Sequence, residues 1–207
     1  MNAGSTMERV YLDLKMRVLD GRYPPGTRLD PVNLAKTLRA SATPVREALH
    51  RLAGERIIDS WHQEGFRPPI LAEADLHDLY SWASWLLGLA LQGNVPDPDH
   101  PAGLVGLELR KDYAEALDSL FRAIAMWSAN REIRFAILNL IERCHVFRKA
   151  EASVDTAARD MLAAMEDDYR FGRWSALRAK ITRFHRRRMA FAGRVVAEIR
   201  PRDEPLR

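Results

Sequence analysis

With 207 residues and a single cysteine, the chain has room for a small domain plus a larger one and cannot build an intrachain disulfide framework. Its formal charge of +4 and sequence pI near 9.4 permit a polyanionic partner without requiring one. No apolar run reaches the length needed to span a bilayer and residues 1–6 lack a signal-peptide core, so a soluble, cytoplasmic protein with no membrane partner is expected.

Residues 1–6 are small and polar and are expected to be flexible. Val10, Leu14, Val18 and Leu19 then form the apolar stripe of a helix over residues 7–19 that stops at Gly21. A Pro24, Pro25, Gly26 turn leads into Arg28 and Leu29, and Asp30 followed by Pro31 reads as an N-cap with a first-turn proline.

Residues 34–52 organise the first domain. Leu34, Ala35 and Leu38 share the inner face of one short helix, and Val45, Ala48, Leu49 and Leu52 that of a second. Residues 39–42 form the turn between them, with Ser41 as the cap and Pro44 in the first turn, where its missing N–H costs nothing. This is helix-turn-helix spacing, in which the second helix presents its N-terminal turn to the major groove of DNA. Periodicity alone fits an ordinary helical hairpin equally well. The stretch that follows, with an extended run through Trp61, a turn at Glu64 and Gly65, and an extended Phe66 and Arg67, has the form of a wing and favours the DNA reader. Pro68, Pro69 and Ile70 close this domain as a stiff linker.

The blocks GRYPPGTRL (residues 21–29) and TPVREALHRL (residues 43–52), with the EGF turn, resemble the winged-helix domain of the GntR family of bacterial transcriptional regulators over residues 7–70. The resemblance implies a double-stranded DNA operator as partner. Thr43 and Arg46 are then the main base readers, and Ser41 is a cap or a phosphate contact. Arg39 is a phosphate contact, Gly65 lets the wing backbone approach the minor groove, and Arg67 meets phosphate or a narrow groove. Arg28 and Pro44 complete the candidate DNA-binding set. The alternative at Arg46 is a solvated side chain or an ion pair with Glu47 or Glu55. The chain departs from the family at two places. Val32 and Asn33 stand where relatives often carry Glu and Arg, and the usual S-R-T-P reads Ser41, Ala42, Thr43, Pro44. Arginine bidentate to guanine is the commonest specific base contact, so Ala42 predicts a weaker or differently read operator.

The second domain, residues 71–200, reads as all-α, with helices over residues 76–91, 104–127, 132–149, 155–169 and 174–199, Asp75 as the first N-cap and residues 201–207 flexible. The fold class is therefore mainly α: an N-terminal winged helix-turn-helix domain followed by a helical-bundle effector domain. Asp118 to Arg122, followed by Ser128, Ala129 and Asn130, resembles the FCD effector domain of the FadR-like subfamily, where an aspartate and three histidines commonly hold a divalent metal. Asp118 stands at the aspartate place and His185 at the last histidine, but Arg122 replaces the first histidine and the segment around Ala158 supplies none. Two ligands of four make a poor site, so no metal and no cofactor is expected. Arg122 at i, i+4 from Asp118 would supply the positive charge instead, making Asp118, Arg122 and His185 the candidate effector-binding residues. The competing reading makes the pair structural and leaves His185 on a solvated basic face within the run Arg183 to Arg188, which could also lie against DNA.

Trp82 and Trp85, at i, i+3, suit core or dimer surface, and the more apolar first helix favours a hydrophobic or aromatic effector beside the anionic one that Arg122 would meet. The proline-containing loop over residues 93–106 either covers the pocket or is disordered. Cys144 and His145 are adjacent and point to different faces, which argues against a nucleophile or metal pair. No nucleophile and base stand at credible spacing, so the chain is not expected to be an enzyme. The reading is a ligand-responsive, sequence-specific transcriptional regulator, a homodimeric repressor; the alternative is an interaction protein whose degenerate reader binds duplex only non-specifically.

Overall fold

The computed structural model describes residues 3–61, 65–92 and 112–200. Val10, Leu14 and Val18 recur one helical turn apart, and α1 (Ala3–Leu19) buries all three together with Tyr11. The helix starts at Ala3, so the flexible segment expected over residues 1–6 gives way to helix four residues before the expected start. α2 (Pro31–Leu38) begins as the sequence predicts, with Asp30 accepting from Asn33 N–H at 2.9 Å, and buries Leu34, Ala35 and Leu38. α3 (Ala42–Gly54) buries Val45, Ala48, Leu49 and Leu52 against the same core. Arg39 closes α2 in the left-handed region at φ 49°, and Arg9 of α1 donates to the Leu38 and Arg39 carbonyls at 3.2 and 3.4 Å, which ties down the turn between the two helices.

The wing is a two-stranded antiparallel sheet. β1 (Asp59–Trp61) pairs with β2 (Gly65–Arg67) in the register Asp59 with Arg67, Ser60 with Phe66 and Trp61 with Gly65. Its tip, residues 62–64, lies outside the described residues. Phe66 faces inward, edge-on to His50 of α3 at 4.9 Å between ring centroids, and its carbonyl accepts from Leu29 N–H at 2.8 Å. The Gly26 turn, at φ +81°, donates its N–H to Pro68 O at 2.9 Å, so the segment after α1 lies along the wing.

The second unit, Leu71–Ile199, is all-α. Among the described residues it contains α4 (Glu73–Ala90), α5 (Tyr113–Trp127), α6 (Arg131–Val154), α7 (Ala158–Arg170) and α8 (Trp174–Ile199), around an apolar core that includes Leu87, Leu120, Phe121, Ile141 and Phe184. Asp75 is not the N-cap of α4. That position is Ala72, and Asp75 sits one turn in, accepting from Ala72 N–H at 2.8 Å. α6 runs five residues beyond the expected end at Lys149, because Ala150 and Glu151 are buried and continue the helix until Asp155. The loop over residues 93–106, the first part of the helix expected from residue 104, and residues 201–207 lie outside the described residues. No described helix is long and apolar enough to cross a membrane.

Candidate functional site

The candidate DNA surface is the N-terminal half of α3 with the wing beside it. Burying Val45, Ala48 and Leu49 turns the opposite face outward, so Thr43 and Arg46, at i and i+3, are both exposed. Arg46 has no ion-pair partner among the described residues. Of the two glutamates considered as its partners, Glu55 is engaged elsewhere: it accepts from Tyr11 Oη at 2.7 Å, from Lys15 Nζ at 2.9 Å and from Arg51 Nε at 3.3 Å. Burial raises the Glu55 carboxyl, but the bonds from Tyr11 and Lys15 outweigh it and the net direction is down.

Ser41 holds the N-cap position of α3 with extended backbone, but its hydroxyl makes no capping bond. The side chain that the sequence reads as a cap or a phosphate contact is therefore left outside the helix, next to first-turn N–H groups that suit an anion. Pro44 is in the first turn, as expected. Arg28 and Arg39 are exposed. Gly65 adopts φ +82°, and a Cβ built there would stand 3.9 Å from Arg28 Nε, so the turn arginine and the wing glycine are neighbours. Arg67 lies over the Trp61 ring at 5.0 Å. Val32, in the first turn of α2, is 55% exposed.

The three candidate effector residues do not converge. Arg122 is exposed on α5 and does not pair with Asp118. Asp118 turns instead to α6, where Arg148 and His145 both bind it, His145 Nδ1 at 2.5 Å. His185 is fully buried, so the solvated-face reading fails. Its Nδ1 lies 2.8 Å from Ile181 O, and because a carbonyl can only accept, Nδ1 carries the proton and Nε2 is left as acceptor. The ring stacks on Phe121 at 5.6 Å between centroids. Burial, with Arg148 and Arg188 nearby, holds the imidazole down at about 3 despite that backbone bond, so it is neutral at physiological pH.

The basic run is also only partly a solvated face. Arg188 is fully buried and binds Asp155, and Arg187 holds the same carboxylate through two bonds of 2.7 Å. Glu151, buried one turn before Asp155, accepts from Tyr80 Oη at 2.7 Å and Tyr113 Oη at 3.2 Å. Three carboxylates, on Asp118, Glu151 and Asp155, are thus matched by three guanidiniums, those of Arg148 and Arg188 from inside and that of Arg187 from the surface. Among the described residues no three of His, Cys, Asp and Glu are grouped to hold a metal ion. The Asp118 carboxylate is engaged by Arg148 and His145. Cys144 is buried and its thiol is pushed up to about 12, so it is unreactive. Sequence reading discounted His145 and gave no role to Arg148, Glu151 or the carboxylate of Asp155. The one available signal was His145 and Arg148 at i, i+3 on a shared face of α6.

Residues 6–67 match the family model described as bacterial regulatory proteins, gntR family. Over 64 residues the chain is 39% identical to the Nta operon transcriptional regulator of Aminobacter aminovorans, covering 31% of this chain and 30% of that protein. Over 120 residues it is 37% identical to a probable D-xylose utilization operon transcriptional repressor of Paenarthrobacter nicotinovorans, covering 57% of this chain and 53% of that one. The chain thus spans between about a third and a half of the length of these two relatives. In fold it is similar to a GntR regulator structure from Rhodococcus sp. RHA1, with TM-score 0.74 at 19% identity over 91% of this chain and 97% of that one. It is also similar to E. coli McbR/YncC, with TM-score 0.65 at 21% identity over 94% and 99%. The relatives named are transcriptional regulators, and residues 6–67 of this chain, folded as a winged helix-turn-helix, match the model of the GntR family of bacterial regulatory proteins.

Proposed function

We propose that the protein is a sequence-specific DNA-binding transcriptional regulator, a homodimeric repressor whose operator affinity changes when a small molecule occupies the helical unit. The observation that carries the DNA-binding part is the exposed pair Thr43 and Arg46 on the leading turns of α3, with Arg46 uncommitted to any carboxylate among the described residues. Arg28 and Gly65 stand together beside the wing and supply a phosphate contact and a close backbone approach. The repressor assignment leans on the Paenarthrobacter relative, named a probable repressor.

Dimerisation is supported by an apolar stripe on α4, where Trp82, Trp85 and Leu89 follow at i, i+3 and i+7 and are 43%, 66% and 46% exposed. A two-fold pair buries the same stripe on both copies and presents two recognition helices to a palindromic site. The ligand acts by binding one arrangement of the two readers better than another. No resident metal takes part: Arg148 supplies the positive charge beside Asp118.

A second reading, an interaction protein binding duplex only through its phosphates, draws support from Val32 in the first turn of α2 and Ala42 at the start of α3, two apolar side chains that offer no polar contact to DNA. Selection of bound duplexes from a random pool separates the two. Enrichment of a two-fold symmetric site supports the regulator, and an unenriched pool overturns it.

A further inference from the structure

α7 and α8 run antiparallel, Lys180 meeting Asp168 at one end and Arg187 meeting Asp155 at the other, and a groove of about 510 Å³ opens between them. Its floor is apolar, made by Met161, Ala164 and Phe191, and its rim is cationic, made by α8 side chains one and two turns apart, with no carboxylate in the lining. Two of those cations are committed at the groove's ends. Lys180 donates to Asp168 at 2.7 Å and to Ala164 O at 2.9 Å, and Arg187 is held by Asp155. The two between them, Arg183 and Arg186, lie at i, i+3, are exposed, and have no acidic partner among the described residues.

We propose that this groove is a binding site for an anionic amphiphile, an aryl or acyl chain ending in a carboxylate, sulfonate or phosphate, with its head between Arg183 and Arg186 and its body on Met161, Ala164 and Phe191. The volume falls within the range of about 300–1,000 Å³ usual for small-molecule sites. Charge selects the head, since two guanidiniums with no acidic partner among the described residues form charge-assisted bonds with an anion. The apolar floor selects against a nucleic acid backbone, which offers phosphate and sugar but no greasy body. The site lies outside the interior between α5, α6 and α8, and the binding claim stands whether or not the protein regulates transcription.

The test uses 8-anilinonaphthalene-1-sulfonate as probe, decanoate as competitor and the uncharged N-phenyl-1-naphthylamine as control, all with the full-length protein. One saturable equivalent of the sulfonate is expected, displaced by decanoate, with affinity falling about 10-fold or more in the Arg183→Glu, Arg186→Glu double variant while the uncharged control is unaffected. Ala164→Trp, which fills the floor, abolishes both probes; thermal melts of each variant establish that the fold is retained. Absence of saturable binding, or affinity unchanged in both variants, overturns the site. So does a double variant that loses non-specific duplex affinity but keeps the sulfonate, which would assign Arg183 and Arg186 to DNA.

Discussion

Arg187 of α8 closes one edge of its guanidinium on Asp155, Nε and Nη2 each donating at 2.7 Å, in the fork geometry that a lysine could not reproduce. Arg188, the next residue, reaches the same carboxylate from inside the core. One acidic side chain thus fixes the end of α6 to two adjacent residues of α8. Replacing Asp155 with alanine leaves the buried Arg188 charge unpaired and is expected to cost about 3–5 kcal/mol in urea unfolding. A loss below 1 kcal/mol would mean that the pair is not formed.

The same carboxylate sets the acid limit. The Arg187 bonds hold Asp155 at about 2, below the value it takes in an unfolded chain. Its contribution is therefore present above about pH 4 and is lost as pH falls toward 2. His185 acts higher: burial keeps it at about 3 in the fold, whereas unfolded it binds a proton near pH 6.5, so stability falls as pH drops from about 6.5 toward 3. The slope approaches about 1.4 kcal/mol per pH unit for one proton. His185→Gln is expected to flatten the stability profile between about pH 6 and 4 and to leave the steeper loss below pH 4 in place. An unchanged profile would show that His185 is not the titrating group.

In the N-terminal unit, Tyr11 Oη donates to both Glu55 oxygens at 2.7 and 2.8 Å while the Arg51 guanidinium stacks on its ring at 3.6 Å. α1 is thereby pinned to the far end of α3. Tyr11→Phe keeps the packing and removes the bond, and a loss of about 1–2 kcal/mol is expected by thermal unfolding.

Much of this unit was legible because its determinants are local. The inward faces of α2 and α3 follow from a 3.6-residue period, Asp30 caps its own helix, and Gly65 marks its own turn. Ser41 was misread in one respect: it holds the cap position, but whether a hydroxyl bonds the first turn or points away depends on its rotamer, which no spacing encodes. Arg188 and Glu151 were not legible. Both are charged residues on helices whose sequence pattern suits a solvated face, and their burial follows from the packing of α6 against α8, with partners 33 and 71 residues away. Arg122 failed for the converse reason. Its i, i+4 spacing from Asp118 permits a pair, but Arg148 on the facing helix takes the carboxylate first.

The α4 stripe gives a direct expectation for assembly. Trp85→Glu places a charge at the centre of the exposed apolar strip, and sedimentation velocity is expected to shift from dimer to monomer, with duplex affinity falling in parallel. A variant that still sediments as a dimer would place the interface elsewhere.

On the DNA face the readers and the phosphate contacts separate by their salt response. Arg46→Ala is expected to cut discrimination between the selected duplex and a shuffled one by the equivalent of about 1–3 kcal/mol, with non-specific affinity little changed. Arg28→Ala is expected to weaken both duplexes alike and to reduce the salt slope by about 1.

The most direct test of the account is fluorescence anisotropy of the full-length protein on a pool-selected duplex and on its shuffled counterpart, at near-physiological salt. The regulator reading predicts binding to the selected duplex tighter by about 10³-fold or more. Equal, weak affinities that collapse together as salt rises would contradict it and leave a protein that holds DNA by its phosphates alone.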